Sequence, residues 1–507
     1  MNKAIWITLA ILGSTLRLTS QEPEWVTKPD QVNLFLNRQD KLFETYSVAL
    51  GDAYYDYYSG VLKDAGKLEL LKADPYVQKD SMETVFRTWM PKRGEITDTL
   101  FHRRMIQWIQ ILSMAQVNDI PELRNLQSEL EKWLITPDSV QGKPPADSLE
   151  ALTKELLVKR NAWARGLGYP GYRELVLMVS GIRPEDLHNY LNLIDQLTLP
   201  AYQELVEQMK KEKGLQEVSI RDIFGIYSNY FQSSPPEPST VSRQEILSST
   251  LNRLGIHYGE LPILHREMQL PPPMGGQGIA VRIPDNFKLV VNPGVGLSTI
   301  FHEVGHGLAC VYNQMPSAVL KGYEWVEGGD TPVMSEGLAE WSAAIVQNPE
   351  WMKKYTDLSD EEIAEKQKTR KTYAPVNLRF WLYNVWLELE IFNDPEQNLD
   401  TLRKTFMKRF LLVDKPSSRP VTLANSMYVS YPVYNHNYLL GGIIAWQIHT
   451  ELEKRLGPNY LFNPETAALM QQYFYKDGEY YHWLERLGRF TGKVLDIEGY
   501  VEWLQGK

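Results

Sequence analysis

Two histidines and the glutamate beside the first of them form the strongest chemical pattern in the chain, which reads His302-Glu303-Val304-Gly305-His306. On a helix, the two imidazoles would lie on one face, one turn apart. Such a pair suits Zn²⁺, which binds histidine nitrogen at about 2.0–2.1 Å. Glu303 would lie beside the metal, where a carboxylate can take a proton from an attacking water. The pattern therefore predicts metal-assisted hydrolysis, with Zn²⁺ as the cofactor.

A catalytic zinc usually has three protein ligands, so a third ligand must come from elsewhere in the chain. Our candidate is Glu336, because its neighbours are apolar and indicate a buried helix, where a carboxylate is costly unless it is paired or metal-bound. Glu324 and Glu327 are the alternatives, in a segment (321–330) whose composition indicates exposure to solvent. Glu340, one turn after Glu336, either orients a histidine ligand or is an ordinary charge on the exposed face of the helix.

Hydrolysis through a tetrahedral intermediate also needs a hydrogen-bond donor aimed at the developing oxyanion. One segment supplies many candidates directly before an apolar helix: Tyr428, Tyr431, Tyr434, His436 and Tyr438. Tyrosines in such numbers also commonly pack in a core with their hydroxyls bonded. Spacing alone does not decide among these five residues.

The elements that must position these residues are predicted to be mainly helical. Apolar residues recur at three- and four-residue spacing in the runs 122–135, 149–167 and 184–212. We found no internal repeat and no linker that would divide the chain. Residues 21–507 are therefore expected to form a single catalytic domain of two lobes.

A short β-hairpin is predicted directly before the histidine motif. The strand-like segments 278–283 and 287–291 flank the turn Pro284-Asp285-Asn286. Ser298 or Thr299 would then cap the helix that carries the motif. The motif is therefore expected on a helix that follows a small sheet.

Composition limits the classes of function. The chain has 507 residues, of which 43% are apolar, enough to bury a large core. Its formal net charge of −10 argues against nucleic-acid binding, which needs concentrated positive charge. The one cysteine, Cys310, excludes an intramolecular disulfide and is expected to be a small buried apolar residue.

Residues 1–20 have the layout of an export signal, with Lys3 before an apolar stretch (4–13) and small or polar residues after it. The apolar stretch is short for a membrane span. We expect cleavage and export to the periplasm or the extracellular space, followed by no stable membrane association and a monomeric state. An uncleaved anchor or a mitochondrial-type leader is the alternative, because Arg17 is present and acids are absent.

Three motifs together make the chain resemble the angiotensin-converting-enzyme-like peptidyl-dipeptidases, which are related to the thimet and neurolysin-like oligopeptidases. They are the histidine motif, the segment 335–340, and Asn437-Tyr438 followed by 447–449. The resemblance is clearest over residues 278–457. It implies a mainly α fold, a large two-lobed helical ellipsoid whose deep channel admits peptides and excludes folded proteins.

The resemblance also implies roles at the metal site. His302, His306 and Glu336 would bind zinc, and Glu303 would act as general base and later as proton donor. Glu340 matches an acid that supports the metal site in that family.

Further roles concern the substrate, a peptide. Counting back from His449 places Tyr438 at the position of the tyrosine that stabilises the oxyanion. Ala280, on the hairpin, would align the substrate backbone by extending the sheet edge. We also expect His436 to contact the substrate.

Departures from the family's pattern leave the cleavage mode open. The lysine that clamps a C-terminal carboxylate would fall near Ser426 and its companion tyrosine at Asn435, and neither residue type is present. Release of C-terminal dipeptides therefore competes with endopeptidase and carboxypeptidase activity. The arginine associated with chloride activation would be Asn437, so no chloride dependence is expected. A non-catalytic peptide-binding protein is a further alternative, against which the intact Glu303 argues.

Overall fold

The structure is a computed structural model that describes residues 24–59, 71, 79–95, 98–136, 139–238, 241–270, 274–417 and 419–506. The predicted export signal, residues 1–20, lies outside these ranges. Within them, no helix combines the length and the apolar character that crossing a membrane requires.

Helices make up most of the described chain, which confirms the predicted mainly α fold. The α-helices before the sheet are Pro29–Tyr58, Lys79–Trp89, Thr99–Asn118, Pro121–Ile135, Ala146–Gly166, Tyr172–Val179, Pro184–Lys213, Ile220–Gln232 and Arg243–Arg253. The α-helices after the sheet are Leu297–Val311, Pro332–Ala343, Pro349–Tyr355, Asp360–Asn393, Leu399–Leu411, Ser426–Val429, Asn435–Leu456, Glu465–Met470, Trp483–Thr491 and Ile497–Leu504. The three runs predicted from apolar spacing are all helices, with bounds that shift by a few residues.

Proline begins several of these helices, because its fixed φ suits the first turn and its missing N–H is not needed there. Such helices start at Pro29, Pro121, Pro184, Pro332 and Pro349. Three of them, those that start at Pro29, Pro121 and Pro332, contribute residues to the large cavity that holds Glu336.

The sheet has three strands in the order β1-β3-β2, with β1 at Ile263–Glu267, β2 at Gly276–Arg282 and β3 at Asn286–Val291. Strands β2 and β3 pair antiparallel, which confirms the predicted hairpin. Strand β1 pairs parallel to β3, and the sequence analysis missed it. Its residues, Ile-Leu-His-Arg-Glu, lack a strong alternation, and parallel pairing leaves no short turn in the sequence as a signal.

The helix that carries the histidine motif, Leu297–Val311 (the motif helix), packs on this sheet. It begins with Gly296 as the N-cap, so the prediction that Ser298 or Thr299 caps it was wrong. Instead, the backbone N–H of Leu297 donates a 2.8 Å hydrogen bond to Oε1 of Glu237. A carboxylate from a distant segment satisfies the free N–H and favours the positive end of the helix.

The helix Pro332–Ala343 (the glutamate helix) packs against both the motif helix and the helix Asn435–Leu456 (the tyrosine helix). The motif and glutamate helices approach closely at Gly305, where a Cβ would lie 2.7 Å from Cα of Ala339. Any side chain at that position would force the helices apart. Gly305 therefore sets the distance at which the histidines face the glutamate helix.

The segment 321–330, predicted to be exposed, is instead largely packed. Tyr323 is 1% exposed, and its hydroxyl accepts a 3.1 Å hydrogen bond from the backbone N–H of Ile283. Val326 is also buried. Cys310 is a buried free thiol, as predicted.

Candidate metal centre and cavity

The structure brings His302, His306 and Glu336 together. Their rings and carboxylate offer ligand atoms that all lie within 4.8 Å of one another, and the two imidazole centroids are 5.0 Å apart. In the described part of the chain, this is the set of three His, Cys, Asp or Glu side chains that could hold a metal ion. Neither Glu324 nor Glu327, the alternative third ligands, belongs to it.

The surroundings of Glu336 fit a metal ligand. The residue is 3% exposed, and the Tyr434 hydroxyl donates a 2.7 Å hydrogen bond to its Oε1. Its Oε2 is buried, lies 3.3 Å from Nε2 of His302, and has no hydrogen-bond partner among the described residues. A buried carboxylate oxygen without a donor is costly, and a cation between it and the two imidazoles would compensate that cost. Two histidines and one carboxylate are also a donor set that catalytic zinc uses.

Both imidazoles are held through Nδ1, which leaves Nε2 of each ring for a metal. Nδ1 of His302 lies 3.3 Å from Oε1 of Glu340. Nδ1 of His306 lies 3.0 Å from Oγ of Ser335. Such partners fix ring orientation and tautomer at metal sites. The sequence analysis missed Ser335 because a serine beside Glu336 carries no signal that it faces His306.

Charge is distributed unevenly over the three candidate ligands. Burial lowers the pKa of His306 to about 4, so this ring is neutral near pH 7. Burial also lowers the pKa of His302, but the neighbouring carboxylates of Glu336 and Glu340 outweigh it and leave the pKa well above its ordinary value. Burial raises the pKa of Glu336, but the contact with His302 outweighs it and leaves that pKa below its usual range. A metal ion would supply the positive charge that protonated His302 provides beside Glu336.

Glu303 lies against the sheet at the edge of this cluster. Burial raises the pKa of its carboxyl to about 7, while the charge of His302 opposes this shift and that of Glu336 adds to it. Strand β2 approaches it closely at Gly276, where a Cβ would lie 2.8 Å from Cγ of Glu303. A carboxyl with a pKa near neutrality is suited to both accepting and returning a proton.

Three of the five candidate oxyanion donors line a common cavity with the cluster: Tyr431, Tyr434 and Tyr438. Because the Tyr434 hydroxyl already donates its hydrogen bond to Glu336, it is less suited than the Tyr438 hydroxyl to donate to a substrate oxyanion. The Tyr438 ring stacks on Trp381 with centroids 5.4 Å apart, and burial raises the pKa of its phenol. The phenol therefore stays protonated, as a hydrogen-bond donor must.

His436 and Ala280, the predicted substrate contacts, do not line this cavity. His436 is 0% exposed. It lies two positions before Tyr438 on the same helix, so its side chain points to nearly the opposite face. Ala280 is 5% exposed, and its backbone N–H donates to Oε1 of Glu324 at 3.4 Å, so the strand edge is covered there. The residues of β2 that do line the cavity are Gly276 and Gln277.

The cavity has a volume of about 1050 Å³, large enough for several residues of a peptide. The helices Pro29–Tyr58, Thr99–Asn118 and Pro121–Ile135 contribute to its walls, as do the motif, glutamate and tyrosine helices. Part of the wall is aromatic: Tyr54 stacks on Trp325 with centroids 4.0 Å apart. The candidate metal cluster thus opens onto a space of the size and chemistry that a peptide requires.

Fold and site together define a helical protein with a two-histidine, one-glutamate cluster in a large cavity. Neither a family model nor a curated protein matches the chain in sequence. Solved structures share its fold. The carboxypeptidase of Pyrococcus furiosus aligns with a TM-score of 0.62 at 14% identity, over 96% of this chain and 99% of that one.

Metallocarboxypeptidase 1 of Trypanosoma cruzi gives a TM-score of 0.61 at 14% identity, over 92% of this chain and 98% of that one. A protein provisionally named oligoendopeptidase F gives a TM-score of 0.67 at 13% identity, over 99% of this chain and 96% of that one. At these identities the shared property is the fold, which is that of helical peptidases. The finer resemblance to peptidyl-dipeptidases stays a prediction.

Proposed function

We propose that this protein is a zinc-dependent metallopeptidase that hydrolyses oligopeptides in the central cavity. The observation that carries the proposal is the orphaned Oε2 of Glu336, buried beside His302 and His306 at the wall of that cavity. A structural zinc site would close with a fourth Cys or His ligand, and no described residue supplies one to the cluster. The fold shared with carboxypeptidases and oligoendopeptidase F supports the same reading.

In this proposal, His302, His306 and Glu336 hold the zinc ion, and Glu340 and Ser335 keep the imidazoles in place. When bound, zinc supplies a Lewis acid that polarises the peptide carbonyl and makes water more acidic. Glu303 accepts the proton that the attacking water loses, because its carboxylate borders the cluster and its pKa is close to neutrality.

Glu303 then returns that proton to the amine nitrogen that leaves when the peptide C–N bond breaks, so the carboxylate is regenerated. The Tyr438 phenol donates a hydrogen bond to the carbonyl oxygen as it gains negative charge. The products are a new carboxylate and a new amine. Water is the only co-reactant that this reaction needs.

Three modes of cleavage are compatible with the cavity: removal of one C-terminal residue, removal of a C-terminal dipeptide, and internal cleavage. The names of the structures that share the fold favour a carboxypeptidase or an oligopeptidase. We further propose that residues 21–507 act as one exported, monomeric catalytic domain after removal of residues 1–20.

The test is to incubate the zinc-loaded protein with a defined mixture of peptides and to identify the products by mass spectrometry. Single residues, C-terminal dipeptides or internal fragments would assign the mode. Glu303→Gln is the matched control: it should retain zinc and lose turnover by about 10³-fold or more. Full activity of a zinc-loaded Glu303→Gln variant would refute the proposed base.

A further inference from the structure

The arginine and lysine side chains that line the cavity lie on one wall. Among the described residues that line the cavity, Arg124 and Lys132 are the only arginine or lysine. Both lie on the helix Pro121–Ile135, which presents one face to the cavity at three- and four-residue spacing. Its residues that line the cavity include Arg124, Gln127, Ser128, Glu131 and Lys132. That face also carries the acid Glu131, whereas the described lining near the candidate metal cluster carries acids and no arginine or lysine.

Arg124 is partly buried, yet its side chain makes no hydrogen bond or ion pair with any described residue. Other arginines with little exposure in this protein have partners. Arg160 donates to the backbone carbonyl of Val429 and to Gln127, and Arg379 pairs with Asp195. The guanidinium of Arg124 therefore keeps its donors available to a ligand in the cavity.

The helix of Arg124 is fixed relative to the segment that leads to the candidate oxyanion donor. It packs against the short helix Ser426–Val429. Nη2 of Arg160 donates a 2.7 Å hydrogen bond to Oε1 of Gln127, and Nη1 of Arg160 donates a 3.2 Å bond to the carbonyl of Val429. One buried arginine thus ties the two elements together. Ser426, at the position where a carboxylate-binding lysine was sought in the sequence, lines the same cavity but carries no charge.

We propose that Arg124 binds the C-terminal carboxylate of the peptide, which makes peptides with a free C terminus the substrate class. This inference rests on the proposed peptidase function and specifies its substrate. A guanidinium can hold a carboxylate through two parallel hydrogen bonds, which fixes the position and the direction of the peptide. Lys132 is exposed and lies over the ring of Trp133, so it adds attraction at the rim without a fixed contact.

The test compares two peptides of one sequence, one with a C-terminal carboxylate and one with a C-terminal amide. The wild-type protein should cleave the acid with a kcat/KM about 10- to 100-fold higher, the usual effect of one charged hydrogen-bonded contact. Arg124→Gln should remove this preference by raising KM for the acid, with little change for the amide. Arg124→Lys should restore part of it. An unchanged acid-to-amide ratio in Arg124→Gln would overturn the inference.

Two controls make the assignment specific. Lys404→Gln removes one positive charge from an exposed position that does not line the cavity, and it should leave the ratio unchanged. Lys132→Gln removes the other cavity cation and should change the ratio less than Arg124→Gln does. A larger effect of Lys132→Gln would overturn the role given to Arg124.

A binding measurement separates failure of this inference from failure of the proposed function. In a Glu303→Gln background, calorimetry should show tighter binding of the acid than of the amide, and Arg124→Gln should abolish the difference. A third peptide, amidated but with a glutamate near its C terminus, tests the source of the carboxylate. If it binds as tightly as the acid, Arg124 binds a side-chain carboxylate and the assignment to the C-terminal carboxylate is wrong. If the wild-type protein binds the acid more tightly than the amide but hydrolyses neither, the proposed peptidase function is refuted while the role of Arg124 in binding stands.

Discussion

The hydroxyl of Tyr434 donates a 2.7 Å hydrogen bond to Oε1 of Glu336, while Oε2 of the same carboxylate lies 3.3 Å from Nε2 of His302. One oxygen is thereby held by the protein and the other is directed at the cluster. Tyr438, one turn along the tyrosine helix, has its ring 5.4 Å from that of Tyr434. Two neighbouring tyrosines are thus expected to have different roles, one in holding a ligand and one in catalysis.

Tyr434→Phe should weaken zinc binding. The change removes the donor that orients Glu336, and outer partners of this kind typically contribute 10- to 100-fold in metal affinity or activity. Competition with a chelator of known affinity would measure the zinc dissociation constant. Equal zinc affinity in the variant and the wild type would show that Tyr434 does not orient the carboxylate.

Tyr438→Phe should lower kcat by about 10²- to 10³-fold, with little effect on KM and with full zinc content, because its hydroxyl is proposed to act only on the developing oxyanion. Steady-state kinetics and metal analysis of one preparation would provide all three values. An unchanged kcat would remove Tyr438 from the mechanism.

Gly276→Ala should impair catalysis without loss of the metal. The new Cβ would meet Cγ of Glu303 at 2.8 Å, so the proposed base or strand β2 must move. A fall in kcat of at least tenfold is expected, since small displacements of a catalytic group are costly. Gly442→Ala is the matched control: a Cβ there meets nothing within 4 Å, and activity should be retained. Equal activity of Gly276→Ala and Gly442→Ala would show that close packing of strand β2 against Glu303 does not matter for catalysis.

Glu324→Gln should stabilise the metal-free protein increasingly as pH rises. Burial raises the pKa of Glu324 to about 8, and the nearby Asp330 adds to the shift. A folded-state pKa above the unfolded value means that stability is full below about pH 4.5 and is lost as pH rises towards 8. Glutamine cannot ionise, so the variant escapes this loss.

The difference in the free energy of unfolding between Glu324→Gln and the wild type should be near zero at pH 4.5 and reach about 1–2 kcal/mol at pH 8. This value is below the full linkage effect because solvent reaches part of the side chain. Urea denaturation at several pH values would measure it. A difference that does not change with pH would show that Glu324 is not destabilised when charged.

Local patterns in the sequence predicted the parts of the fold that depend on local interactions. Helix periodicity, the hairpin and the helical histidine motif are of this kind. The burial argument also selected Glu336 over Glu324 and Glu327, and the structure brings Glu336 to the histidines. Its role as a zinc ligand stays a prediction.

Contacts between distant segments could not be predicted. Strand β1, the hydrogen bond from Leu297 to Glu237, and the pairing of Ser335 with His306 all depend on tertiary packing. Glu324 covers the edge of β2 at Ala280 for the same reason. His436 is a different case, since helix phase alone separates its face from that of Tyr438 and could have excluded it.

Zinc titration of chelator-treated protein tests the central claim most directly. Peptide hydrolysis should be absent without metal and should return in proportion to added zinc, with a break at one equivalent per chain. His302→Ala and Glu336→Ala variants should show no such break. Hydrolysis that persists when every divalent metal has been removed would contradict the account.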